Sequence, residues 1–169
     1  MSKKKYVFKP YDSDFPKLFQ NEHKRIQAAS LLPLSIEHIG STAVEGLGGK
    51  GIIDILIKAP KLSLEMVSKL LQSIGYEFRK DHSEEDRLFF RIDLPDTKEE
   101  IRRYHVHLTF LGSKAEQNLM GFRDYLKIHP EARIKYERMK KLAVKRAQGE
   151  GQVYRKEKAS FFDSLDKSS

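Results

Sequence analysis

The segment IEHIGSTAVEGLGGKGIIDILIKA, residues 36–59, sets a single carboxylate, Asp54, in the middle of an apolar run. Burying a carboxylate is costly unless it is paired, so an aspartate inside IIDILI marks a candidate site. Two further runs carry groups able to do chemistry: Arg87 and Arg91 in RLFFRID, and His105 and His107 in YHVHLTF. Side chains alternate across a strand, which sorts each run into two sets. Ile53, Ile55 and Ile57 oppose Ile52, Asp54, Leu56 and Lys58; Leu88, Phe90 and Ile92 oppose Arg87, Phe89, Arg91 and Asp93; Tyr104, Val106, Leu108 and Phe110 oppose His105, His107 and Thr109. If the apolar sets share one side of a sheet, Asp54, Arg87, Arg91, His105 and His107 converge on the other. An antiparallel sheet with one solvated face gives the same alternation without chemistry. Its wet face ordinarily carries Thr, Lys and Glu, whereas here the positions hold Asp, paired Arg and paired His.

Two imidazoles with one carboxylate make a ligand set for Mn, Fe or Zn better than for Mg. The same groups also suit phosphate, since imidazole is a cation at low pH and a guanidinium grips phosphate bidentately. The loop GSTAVEGLGGKG, residues 40–51, adds a second ingredient. Gly40 followed by Ser41 and Thr42 lets backbone N–H groups approach a phosphate, the hydroxyls add donors, and Lys50 supplies a counter-charge. The Walker string G-x-x-x-x-G-K-[ST] is absent. His38 is placed to brace this loop. Arg87, Arg91 and Arg123 either clamp phosphate or pair with carboxylates such as Asp93 and Asp124. His107-Leu108-Thr109 matches half of a two-histidine phosphoesterase pattern, and no second copy exists in the chain.

EHIGSTAVEGLGGKGIIDILI, followed by RLFF, YHVHL and FRDYLKIHPEARIKYERMK, resembles the GrpB family from Tyr6 to about Phe162. That family is similar in fold to the nucleotidyltransferase superfamily, whose pattern is a Gly-Ser pair after one strand and a carboxylate pair on the next. The resemblance implies that Gly40 and Ser41 grip a nucleotide phosphate while Asp54 holds a divalent cation, Mg or Mn, bridging the phosphates. It further implies transfer of a nucleotidyl or phosphoryl group, with pyrophosphate leaving. The second carboxylate of the pattern falls on Leu56, so either His105 and His107 complete the site as metal ligands or general base, or the chain binds nucleotide without turnover. GrpB-like domains also occur fused to dephospho-coenzyme A kinases, which implies a regulatory role toward a coenzyme A precursor.

The elements that must position these residues follow from pattern. A helix is expected over Asp12–Leu32, a strand over LSIEHIG, a loop with at most one helical turn, a strand over IIDILIKA, and a helix capped by Ser63 and running to about Ser73. Strands GYEFRK, RLFFRIDL and YHVHLTFLG come next, the last two as antiparallel neighbours separated by the polar turn DTKEEIRR. Ser113 and Glu116 form a capping box for a helix to about Ile128, HPEA opens another, and a last helix starts near Tyr154 with Phe161, Phe162 and Leu165 inward. This order predicts an α/β (α+β) domain, a mixed sheet flanked by helices with a helical C-terminal tail. At 169 residues and 39% hydrophobic, the chain supports one core. It has no cysteine, which excludes disulfides and thiolate metal sites, and its net charge of +8 favours an anionic partner. A nucleotide or other phosphorylated small molecule fits that charge. Nucleic acid also fits, but no RRM, KH or zinc-finger pattern is present, and the basic run ARIKYERMKKLAVKRAQG reads as a solvated helix face. No apolar run of membrane-spanning or signal-peptide length occurs, so a soluble cytoplasmic protein is expected.

Overall fold

The computed structural model describes residues 7–147 together with Arg155, Lys156 and Ala159. Isoleucines at spacing two make Ile53–Ala59 (β2) the strand from which the fold is built, since β-branched side chains pack well on a pleated surface. It pairs antiparallel with Ser35–Ile39 (β1) and parallel with Glu100–Phe110 (β5). Arg87–Asp96 (β4) is antiparallel to β5, and the two-residue Glu77–Phe78 (β3) closes the edge. The result is a five-stranded mixed sheet in the order β1-β2-β5-β4-β3.

One sheet face carries the main core. Ile53, Ile55, Ile57, Phe90, Val106 and Leu108 are buried there beneath Phe15, Phe19 and Ile26 of Phe15–Ala29 (α1) and Val67 and Leu71 of Leu64–Ser73 (α2). Each such side chain contributes about 1.5–3 kcal/mol through removal from water. The opposite face is covered in part by Lys114–Ile128 (α3), against which Pro130–Ala147 (α4) packs. Leu56, on this second face, is fully buried, and Lys58 beside it ion-pairs with Glu116 of α3 at 3.4 Å. The Asp54 end of the same face stays open. A smaller apolar cluster joins Val44 and Leu47 of the loop to Leu126, Ala132 and Tyr136 of α3 and α4. It fixes the loop to the helical layer.

Several boundaries differ from the sequence expectation. α1 begins at Phe15 with Pro16 in its first turn, and Asp12 accepts a bond from the Asp14 amide rather than starting the helix. Ser63 precedes α2 without a side-chain cap bond, because a 3-10 turn over Lys61–Ser63 already satisfies the entry. Half of the expected capping box of α3 forms: Ser113 Oγ accepts from the Glu116 amide at 3.0 Å, while the Glu116 carboxylate accepts from the Gly112 amide and the Ser113 amide donates to the Phe110 carbonyl. β3 is far shorter than GYEFRK. β4 and β5 are longer, because the polar turn shrinks to a tight hairpin in which Glu100 takes φ 63°. Arg102 explains that extension: it is buried, pairs with Asp96 at 3.1 Å and donates to the Gly51 carbonyl at 2.9 Å, so a charged stretch runs as strand. The expected helix from Tyr154, with Phe161, Phe162 and Leu165, lies outside the described residues apart from Arg155, Lys156 and Ala159. No helix among the described residues is long and apolar enough to cross a membrane.

Candidate functional site

Strand register brings the sequence-predicted groups together. Asp54 lies opposite His105 in the parallel pair, and Arg91 and Phe89 lie opposite His105 and His107 in the antiparallel one. Asp54 Oδ1 is 3.5 Å from His105 Nδ1 and 3.3 Å from His107 Nε2. The carboxylate is 24% exposed, against 20% and 13% for the imidazoles, so all three face a cleft rather than bulk water. Arg87 Nη1 is 2.9 Å from His107 Nδ1. A guanidinium only donates, so Nδ1 accepts, and His107 is held neutral with its Nε2–H donated to Asp54. Burial lowers the His107 pKa in the same sense, against the opposing pull of Asp54. Burial would push the Asp54 carboxyl up, but the bonds from His105 and His107 outweigh it and hold the group well below the usual carboxylate range. Phe89 packs edge-on to both imidazoles, at 4.8 and 5.3 Å between centroids, and fixes their planes.

The loop meets this cluster through glycine. Gly40 has φ 75°, and a Cβ built on it would lie 2.6 Å from Asp54 Oδ2, so the backbone rests directly on the carboxylate. Ser41–Ala43 then turns as a 3-10 element, with the Ala43 amide donating to the Gly40 carbonyl. Thr42 does not reach the cleft. It is 1% exposed, donates to the Ile52 carbonyl at 3.3 Å and accepts from His38 Nε2 at 2.9 Å, so it clamps the loop to β2 instead of contacting a ligand. His38 braces the loop as expected. Its ring stacks on Phe19 at 4.7 Å, and burial lowers its pKa to about 4 despite the attraction of Asp54. Gly49 exchanges both backbone hydrogen bonds with Lys9, pinning the far end of the loop to the N-terminal segment.

A cleft of about 800 Å³ opens over these residues, large enough for a nucleotide. Gly40, Ser41, Lys50, Asp54, His105 and His107 line it, joined by Arg87 and Arg91. Arg91 also pairs with Glu77 at 3.1 Å, which places it at the rim. Arg123 stands outside. It is held by Glu37 and Asp124, each at 2.9 Å, and by the His38 carbonyl at 3.0 Å, so it ties α3 to β1. The cleft also takes Lys140 and Tyr136 from α4, and Leu119 and Phe122 from α3, none of which the sequence reading selected. For Lys140 a signal existed: Ala132, Tyr136, Lys140 and Ala143 recur at helical spacing and are all buried, so this lysine sits in an apolar stripe.

The three expected metal ligands form a hydrogen-bonded cluster. His107 has both ring nitrogens engaged, the Arg87 guanidinium beside it repels a second cation, and Leu56 stands where another carboxylate would be. Among the described residues no group of three or more His, Asp or Glu side chains is disposed to hold a metal ion. The donor set therefore does not fit a resident divalent cation.

Residues 5–168 match the GrpB protein family. A UPF0157 protein of Pseudomonas aeruginosa is 35% identical over 147 residues, covering 86% of this chain and 60% of that protein. A dephospho-CoA kinase of Mycolicibacterium paratuberculosis is 29% identical, covering 86% of this chain and 41% of the kinase. Among solved structures, GrpB from Enterococcus faecalis superposes with TM-score 0.79 at 24% identity over 96% of both chains. The Cid1 poly(U) polymerase superposes with TM-score 0.52 at 10% identity, covering 78% of this chain and 45% of that one, which supports a nucleotidyltransferase-like fold. The match over nearly the whole sequence makes the chain a member of the GrpB family.

Proposed function

We propose that the cleft binds a nucleotide or another phosphorylated small molecule and serves nucleotidyl or phosphoryl transfer. The observation that carries this reading is the meeting of the Gly40–Ser41 turn, the Asp54 cluster and the cations Lys50 and Arg87 in one cavity. A glycine turn beside fixed cations suits a phosphate chain, and positioning with charge neutralisation is most of what phosphoryl transfer requires. Asp54 orients His105 through Nδ1, which turns Nε2 into the acceptor for a substrate proton. In the step this allows, an acceptor oxygen bonds to the α-phosphorus, the bond to the bridging oxygen breaks, pyrophosphate departs and the acceptor proton passes to His105. His107, locked between Arg87 and Asp54, positions the carboxylate. Magnesium or manganese would in this reading be carried by the ligand's own phosphates and neutralise their charge, with no ligand set supplied by the protein.

Buried Leu56 favours a second reading, a module that binds its ligand without turnover. The kinase relative suggests a coenzyme A precursor as that ligand. Thermal unfolding of the full chain with nucleoside triphosphates, tripolyphosphate and coenzyme A precursors, with and without Mg or Mn, tests both. A ligand at a hundredfold excess over Kd should raise Tm by about 5 °C or more. Pyrophosphate release that Asp54→Asn abolishes supports transfer; a Tm rise without any release supports the binding module. No Tm rise with any phosphorylated ligand contradicts both.

A further inference from the structure

Lys140 of α4 points into the protein. It is 2% exposed, its ammonium stands 4.5 Å over the Tyr136 ring, and it donates to the Gly48 carbonyl. Desolvating an ammonium costs several kcal/mol, which the Gly48 carbonyl and the Tyr136 ring help to offset. A Cβ on Gly49 would fall 2.7 Å from Ser41 Oγ and 2.9 Å from Lys140 Nζ. Gly49 has no positive φ, so what requires glycine there is the space that the hydroxyl and the ammonium occupy. Ser41 Oγ and Lys140 Nζ thus approach one point beside Gly49 from two segments remote in sequence, and both residues line the cleft together with Lys50.

We propose that Lys140 is the phosphate-binding cation of the Gly40–Ser41 turn, so that the inner end of the cleft takes the terminal phosphates of a polyphosphate and α4 forms half of that site. The proposal rests on the phosphate-binding reading above. A polyphosphate concentrates several negative charges within a few bond lengths. Two lysines and a hydroxyl lining one cleft match it better than they match one phosphate. Seating it between loop and helix couples ligand binding to the docking of α4.

The test is calorimetric titration of the full chain with inorganic tripolyphosphate, using wild type, Lys140→Met and, as control, Lys135→Met at an exposed position of the same helix. Lys140→Met is expected to weaken binding at least tenfold and Lys135→Met to leave it within twofold. Equal affinity for wild type and Lys140→Met overturns the assignment. No binding by wild type overturns the phosphate reading itself, and the assignment with it. Should Lys140→Met fail to fold, hydrogen exchange on wild type decides. Tripolyphosphate is expected to slow exchange both in residues 48–50 and in residues 136–143, and slowing confined to the loop overturns the role of α4.

Discussion

At the scale of single residues, two groups carry the site's local physics. His38 is neutral in the native state, its pKa lowered to about 4 by burial, from an ordinary 6.5. Between those values the unfolded chain binds a proton that the native one refuses. Stability is therefore complete above about pH 6.5 and is lost as pH falls toward 4, by about 3 kcal/mol. His107, lowered by burial as well, adds in the same direction. Urea unfolding at several pH values should show this slope, and His38→Asn should flatten it; an unchanged slope would show that His38 is not the linked group. Gly40 is the other case. Gly40→Ala combines a positive φ with a Cβ driven into Asp54, and is expected to cost about 1–3 kcal/mol and to displace the carboxylate. An alanine variant as stable as wild type, with unaltered ligand binding, would mean that the turn and the carboxylate do not depend on each other.

At the scale of elements, the hairpin of β4 and β5 is where charge and burial interact. Asp96 and Arg102 are almost entirely buried, so removing one partner strands the other: Asp96→Asn should destabilise by about 3 kcal/mol in denaturant unfolding. A loss within about 0.5 kcal/mol would show the pair to be solvated. The same pair shows why the sequence read well in some elements and poorly in others. Period-two alternation in IIDILI, RLFFRID and YHVHLTF was enough to place Asp54, Arg87, Arg91, His105 and His107 on one face, because register preserves the parity of side chains. It did not reveal that EIRR belongs to β5, since the burial of Arg102 depends on Asp96 and Gly51 from other strands. Thr42 and Arg123 looked like phosphate donors for the same reason. Their hydroxyl and guanidinium are consumed by His38, Ile52, Glu37 and Asp124, partners fixed only by the tertiary fold. Lys140 was hidden within a basic run, and only its phase on the helix set it apart.

At the scale of the whole molecule, α1 and α2 cover the core face of the sheet, while α3 and α4 leave the Asp54 end of the other open. The net charge of +8 then has a place to act. A nucleic-acid partner would show an affinity that falls steeply with salt through many released counter-ions, whereas a small phosphorylated ligand confined to the cleft should saturate one site with a shallow dependence. The most direct measurement is an amide chemical-shift map of the full chain titrated with a nucleoside triphosphate. The account predicts saturable shifts concentrated at Gly40–Ala43, Gly48–Lys50, Asp54, His105 and His107. Shifts confined to the outer helical surface, or none at millimolar ligand, would contradict it.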